Sequence, residues 1–224
     1  MLKRLAALFL PVAAALVFAP PVLSAGGHYV FVGGTAAERS QVVQALDASS
    51  FPWDIVPKTV AVHIAREPVS EATPGAIWLD ASLLDTGRFS WGVVQHEYAH
   101  QVDFLVLTSD QRDRLAALLG GATWWNDGSL AHDGYGCERF ATSIAWAYWP
   151  TLDNALRPSG PQDEGGQLSP ASFRAALASI LPDATPDRTV AAVKSSVPVK
   201  PAPRHTLAAE PKKSAAAAGR SSRP

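Results

Sequence analysis

The spacing of apolar residues changes several times along the chain, and each spacing predicts an element of secondary structure. Short runs with β-branched residues predict three strands, over 28–34, 58–65 and 75–79. Apolar residues at helical spacing predict helices over 36–48, over 89–107, from Ser109 to Gly120, over 136–149 and over 169–181. Strands thus precede most of the helices, which predicts an α+β fold with a small mixed sheet and a helical C-terminal part.

The first 25 residues have the pattern of a targeting segment. Lys3 and Arg4 precede an apolar run from Leu5 to Ala19, and small residues follow it. This order predicts a secretory signal peptide over residues 1–25, and therefore a secreted or cell-envelope location. The run is shorter than the roughly 20 residues of a membrane-spanning helix, so an uncleaved anchor is the second interpretation. The single cysteine, Cys137, cannot form a disulfide within the chain and is expected to be a small buried residue.

Residues 186–224 are rich in Pro, Ala, Ser and Lys and lack a sustained apolar period, which predicts a disordered tail. The tail contains eight basic and two acidic residues, whereas residues 26–185 contain nine basic and 18 acidic residues. We therefore expect an acidic folded domain with a cationic tail. The tail is either a solvated extension or an electrostatic attachment to an anionic envelope. A nucleic-acid partner is not expected, and the domain is expected to be monomeric.

The segment His96-Glu97-Tyr98-Ala99-His100 lies within the longest predicted helix. Two histidines four residues apart lie on one face of a helix, where both imidazoles can bind one zinc ion. Glu97 lies beside them and can accept a proton from a water bound to the metal without binding the ion itself. Between Arg88 and Asp103 the only charged residue is Glu97, which predicts a buried helix. Buried imidazoles beside a buried carboxylate need a partner, and a metal is the simplest one.

A catalytic zinc ion also needs a third protein ligand, and the next candidate is Glu138, near the start of the predicted helix over 136–149. Residues 93–102 resemble the extended zincin signature, with uncharged positions around the two histidines. Glu138, followed by Phe140 and Ala141, resembles the glutamate helix of gluzincins. Together with the HExxHxxD pattern, it is most similar to the anthrax lethal factor-like peptidases.

This resemblance implies a zincin-like fold over residues 26–185, in which a small mixed sheet packs on an active-site helix and a helical subdomain follows. It also implies one Zn²⁺ ion bound by His96, His100 and Glu138. The implied reaction is hydrolysis of peptide bonds in a peptide or protein substrate, with Glu97 as the general base. Where these relatives often carry a second acidic residue one turn after the glutamate ligand, this chain has Thr142.

Three further residues are candidates for supporting roles. Tyr135 and His132 precede Glu138 and could donate a hydrogen bond to the developing oxyanion. The similar peptidases use a tyrosine that lies further upstream than Tyr135. Asp103, one turn after His100, is expected to accept the second ring N–H of a ligating histidine, although direct metal binding or a purely structural role are alternatives.

Two other segments could contribute to substrate binding. The strand over 75–79 could be an edge strand that pairs with an extended substrate, or it could lie inside the sheet. Trp124 and Trp125 could line a cleft, or they could divide between core and surface.

The sequence leaves two alternatives to a secreted zinc endopeptidase. The first is an inactive zincin-like module with a binding or regulatory role at the cell envelope, and the second is a zinc amidase that acts on cell-wall peptides. An intact Glu97 argues against the first alternative, because a purely structural zinc site needs no proton acceptor.

Overall fold

The computed structural model describes residues 22–24, 27–66 and 69–184 of the 224-residue chain. Its strands are β1 (Val22–Ser24), β2 (Gly27–Gly33), β3 (Val60–Ala65), β4 (Glu71–Thr73) and β5 (Ala76–Asp80). Its α-helices are α1 (Ala36–Ala48), α2 (Ala81–Leu84), α3 (Trp91–Leu105), α4 (Ser109–Leu119), α5 (Gly136–Ala147) and α6 (Pro170–Ile180). None of these described helices is long and apolar enough to cross a membrane. The predicted tail, and the predicted signal peptide apart from Val22–Ser24, lie outside the described residues.

The five strands form one mixed sheet in the order β1-β2-β3-β5-β4. The central strands β2, β3 and β5 are parallel, and each outer strand is antiparallel to its neighbour. The parallel register places Phe31 opposite Val62, and Val62 opposite Ile77, on one face of the sheet. Helices α1 and α3 pack on each other through buried apolar residues that continue this face, including Val42, Leu46, Val94, Tyr98 and Val102.

The predicted elements agree with this architecture. All three predicted strands and all five predicted helices are present, with ends that differ by at most a few residues, and the mixed α/β class is confirmed. Helix α4 begins at the predicted Ser109, and the residue before it, Thr108, caps the helix. The Thr108 hydroxyl accepts a hydrogen bond from the Gln111 N–H, and the Gln111 side chain accepts one from the Thr108 N–H.

The strand predicted over 75–79 is an interior strand of the sheet and not an edge strand. The strand predicted over 75–79 is β5, and it lies between β3 and β4 inside the sheet, as in the second alternative. The edge strand beside β5 is β4, a three-residue segment that the sequence pattern did not predict. It precedes Pro74 and is too short and polar to show an alternation.

Gln101 joins helix α3 to the β4–β5 hairpin. The fully buried Gln101 side chain accepts a hydrogen bond from the Gly75 N–H at 2.7 Å and donates to the carbonyls of Thr73 and Ala76 at 2.9 and 3.2 Å. Buried amides are stable only when their hydrogen bonds are made, so this contact holds the hairpin at a defined position on the helix. The residue directly after His100 therefore sets where the edge strand lies.

Substitution of Gly92 by Ala is expected to destabilise the fold. A Cβ at this position in α3 would come within 2.1 Å of the Asn154 side-chain oxygen. Asn154 cannot move away without cost, because its amide donates to the Ala145 and Trp149 carbonyls. We expect Gly92→Ala to lower the free energy of unfolding by about 1–3 kcal/mol, despite the better helix propensity of Ala. Urea denaturation measures this change.

Gly160→Ala is the matched control, since no atom lies within 4 Å of the Cβ position there. Its stability should stay within about 0.5 kcal/mol of the parent protein. Equal stabilities of the two alanine variants would contradict the close approach of Asn154 to α3.

Candidate metal centre

Two packed helices bring the predicted ligands together. Helix α3 presents His96 and His100 one turn apart, and the first turn of α5 presents Glu138. Each of the three residues is only 7% exposed. Among the described residues, these three form the group of His, Cys, Asp and Glu side chains whose ligand atoms lie within 4.8 Å of one another. The site could therefore hold a metal ion.

The three ligand atoms form a nearly equilateral triangle. His96 Nε2 lies 3.1 Å from His100 Nε2, and Glu138 Oε2 lies 3.2 Å from each of these nitrogens. Ligand atoms bound to a tetrahedral zinc ion at the usual bond lengths of about 2.0–2.2 Å are separated by about 3.3–3.6 Å. The observed spacing is within a few tenths of an ångström of these values, so the three side chains would suit a small metal ion.

The Glu138 carboxylate is held with one oxygen toward the histidines. Its other oxygen, Oε1, accepts a hydrogen bond from the Asn126 side-chain amide at 3.3 Å. Burial acts to raise the pKa of Glu138, but hydrogen bonds from His100 and His96 outweigh it and hold the pKa well below its usual range. A carboxylate that stays ionised when buried is the form that a metal ligand requires. The neighbouring Arg139 does not pair with this carboxylate and donates to the Asp133 and Leu119 carbonyls.

Glu97 lies in the same cleft but outside the ligand group. It is 6% exposed, and burial raises its pKa, while the nearby His96 and His100 oppose this rise. A glutamate with a raised pKa binds a proton more readily than an ordinary carboxylate. The position and the environment of Glu97 are those of a proton acceptor beside the ligands.

Thr142 and Glu164 support His96. The Thr142 hydroxyl lies 3.0 Å from His96 Nδ1 and donates to Glu164 Oε2 at 2.9 Å. When Nε2 binds a metal, Nδ1 carries the proton, so the hydrogen bonds run from His96 to Thr142 and from Thr142 to Glu164. The loop before α6 thus supplies the carboxylate that accepts the Thr142 hydrogen bond. Glu164 has no sequence signal, because it lies 26 residues after Glu138 in an irregular segment.

Removal of the Thr142 hydroxyl is expected to weaken metal binding. Thr142→Val keeps the shape of the side chain but leaves His96 Nδ1 and Glu164 Oε2 without this partner. We expect affinity for Zn²⁺ or Co²⁺ to fall roughly 10–100-fold, as in other sites that lose a hydrogen bond to a ligating histidine. Competition with a chromophoric chelator measures the affinity. Thr142→Ser, which retains the hydroxyl, should bind nearly as tightly as the parent, and equal affinities for Val and Ser would contradict the role of the hydroxyl.

Of the two predicted oxyanion donors, the structure brings only His132 next to the ligands. His132 Nε2 lies 3.2 Å from Glu138 Oε2, and its Nδ1 hydrogen-bonds to Glu164. This hydrogen bond raises the pKa of His132, and burial partly opposes the rise. The Tyr135 hydroxyl is used elsewhere, because it accepts from the Leu130 N–H at 2.6 Å and donates to Asp127 at 3.2 Å. Tyr135 is 1% exposed whereas the His132 side chain is 58% exposed, and neither residue is among the described residues that line the cleft.

Asp103 has different partners from those predicted. It is fully buried, and its carboxylate accepts hydrogen bonds from Arg112 Nε at 2.7 Å and from Trp124 Nε1 at 3.0 and 3.1 Å. The predicted hydrogen bond to a ligating histidine is therefore replaced by a bridge between α4 and the segment that follows it. Asp103 is also outside the described ligand group, so its contacts fit the third alternative, a purely structural role.

A cleft of about 320 Å³ opens over the ligands. The edge strand β4 contributes Glu71 and Ala72 to one part of its lining, and Phe104 and Trp125 contribute aromatic rings. Trp124 is 8% exposed whereas Trp125 is 46% exposed, so the tryptophan pair divides between core and surface, and its exposed member also lines the cleft. Cys137 lies in the wall, where burial raises the pKa of its thiol to about 12.

Comparison of the chain with protein-family models, with curated proteins and with solved structures returned no match.

Proposed function

We propose that this protein is a secreted zinc-dependent endopeptidase with a zincin-like fold. The observation that carries the proposal is the arrangement of a buried His-His-Glu triangle with a separate buried glutamate beside it, in a cleft that borders the edge of a sheet. Two imidazoles and one carboxylate are a ligand set that zinc prefers when it acts as a catalyst. The signal peptide predicted over residues 1–25 supports the secreted location in this proposal.

Zinc at this site would polarise a scissile carbonyl and lower the pKa of a bound water. Glu97 accepts the proton of the attacking water and delivers it to the leaving amine. His132 donates a hydrogen bond toward the developing oxyanion, and Glu164 holds the imidazole in its orientation through Nδ1. His132 takes this role over Tyr135, because His132 Nε2 lies 3.2 Å from Glu138 Oε2, whereas the Tyr135 hydroxyl bonds to Asp127 and Leu130.

The edge strand β4 supports a peptide as the substrate. It is the last strand of the described sheet, and it borders the cleft that contains the ligands. An edge strand has main-chain groups available on its outer side, to which an extended peptide can add as a further strand. Gln101 keeps β4 at a defined distance from the neighbouring His100, so a peptide bound in this way would pass over the metal.

The proposal is tested by metal analysis of the purified chain, followed by incubation with a mixed peptide library and mass spectrometry of the products. The expected result is one zinc ion per chain and internal cleavage of peptides that stops on chelation and returns with zinc. Bound zinc without cleavage of any peptide would favour the inactive binding module. Cleavage of cell-wall peptides alone would favour the amidase.

A further inference from the structure

An aromatic wall extends outward from the metal ligands along one side of the cleft. The Phe104 ring stacks on the His100 ring with centroids 6.0 Å apart, and the Trp125 ring stacks on Phe104 at 5.9 Å with an interplanar angle of 11°. An extended peptide advances about 3.5 Å per residue, so the two rings lie within reach of a side chain one or two residues from a bond at the metal.

Arg112 and Asp103 hold the Trp125 ring of this wall in position. The Arg112 guanidinium lies 4.8 Å from the centre of the Trp125 ring, and the buried Asp103 fixes this guanidinium by a hydrogen bond of 2.7 Å. Asp103 also accepts from the indole of Trp124, the residue before Trp125. Asp103 therefore orients Arg112 and Trp124, the two residues next to the exposed Trp125 ring. A rigid ring loses little conformational freedom when a ligand binds to it, which makes it an effective contact.

The rest of the lining indicates which side chains the wall accepts. The described lining includes the carboxylates of Glu71, Glu97 and Glu138 and contains no lysine or arginine. An acidic side chain would meet like charges there, whereas an uncharged ring would bury apolar surface against Trp125 and Phe104.

We infer that Phe104 and Trp125 form a specificity subsite that selects an aromatic side chain next to the scissile bond, an inference that rests on the proposed peptidase function. Trp125 provides the exposed contact surface, and Phe104 connects this surface to the metal ligand His100. Asp103 and Arg112 are positioning residues that act through Trp125.

Amino-acid hydroxamates test the subsite without hydrolysis, since the hydroxamate binds the metal and the side chain probes the wall. The zinc-loaded full chain is titrated by calorimetry with phenylalanine hydroxamate and with glycine hydroxamate. We expect the phenylalanine compound to bind about tenfold more tightly. Trp125→Ala should remove most of this preference by weakening only the phenylalanine compound, and Trp125→Phe should retain most of it.

Phe89→Ala is the matched control, because Phe89 is an aromatic residue of similar exposure, 55%, that is outside the described lining of the cleft. It should leave both affinities unchanged. The subsite would be overturned if zinc-loaded Trp125→Ala kept the parent's preference for phenylalanine hydroxamate. It would also be overturned if Trp125→Ala lost the same affinity for both hydroxamates. If the preference for phenylalanine hydroxamate depends on Trp125 but no peptide is cleaved, the aromatic binding site is supported and the peptidase function is contradicted. A chain that binds no zinc overturns both.

Discussion

Glu97→Gln is expected to lower kcat/KM for peptide hydrolysis roughly 10²–10⁴-fold, the range for loss of a general acid–base group. The amide has nearly the same size as the carboxylate but cannot accept the proton of the attacking water. Because Glu97 is outside the ligand group, the variant should still bind one zinc ion. Initial rates with a fluorogenic peptide, together with metal analysis of the same sample, separate the two effects.

Asp113→Asn provides the matched control, because it makes the same change from carboxylate to amide on the exposed surface of α4. Its rate should equal that of the parent. If Glu97→Gln kept more than about a tenth of the parent activity, Glu97 would not be the general base. If it lost the zinc as well, Glu97 would be part of the ligand set.

Glu138→Ala should produce the largest change in metal binding. Structural zinc sites with four ligands bind with apparent free energies of about 10–16 kcal/mol, so loss of one ligand should cost about 3 kcal/mol, or roughly 100-fold in affinity. Zinc at about 1,000 times the parent Kd should stabilise the parent protein by about 4 kcal/mol, a rise in Tm of roughly 8–16 °C. At the same zinc concentration the variant should show about a third of this rise.

Calorimetry with and without zinc measures this difference. Glu71→Ala is the control, since Glu71 is a glutamate of the same cleft that lies outside the ligand group. Its Tm should rise with zinc as much as that of the parent. An undiminished rise in Glu138→Ala would show that the ion is bound elsewhere or by the two histidines alone.

Local sequence signals, such as residues that cap helices, predict much of the fold. Thr35 accepts from the Glu38 N–H while Glu38 accepts from the Thr35 N–H, and this capping box starts α1 at its predicted residue. Ser169 and Pro170 likewise begin α6 where predicted. The strand β4 had no such signal. It is a strand only because β5 lies beside it and supplies its hydrogen-bond partners, a contact between segments that three polar or small residues do not predict.

The structure brings the predicted ligands together, but it gives Asp103 and Tyr135 other partners than the predicted ones. Asp103 lies one turn beyond His100, but its side chain turns to Arg112 and Trp124, which the next helix and loop bring to it. Tyr135 precedes the ligand helix, but its hydroxyl closes the loop over 126–130. Such second partners depend on how loops fold back, and spacing along the chain does not determine this.

The sequence by itself determined which residues of helix α3 could bind a metal ion. His96 and His100 lie on one helical face because of the 3.6-residue period, and the uncharged positions around Glu97 required that face to be buried. Only the tertiary structure decided how this centre is completed. Packing of α3 on α5 brought Glu138 to 3.2 Å from both histidines, 38 residues beyond the second of them. The loop before α6 contributes Glu164, and Trp125 lines the cleft. Contacts between such distant segments depend on the shape and charge of the folded core, and local sequence does not determine them.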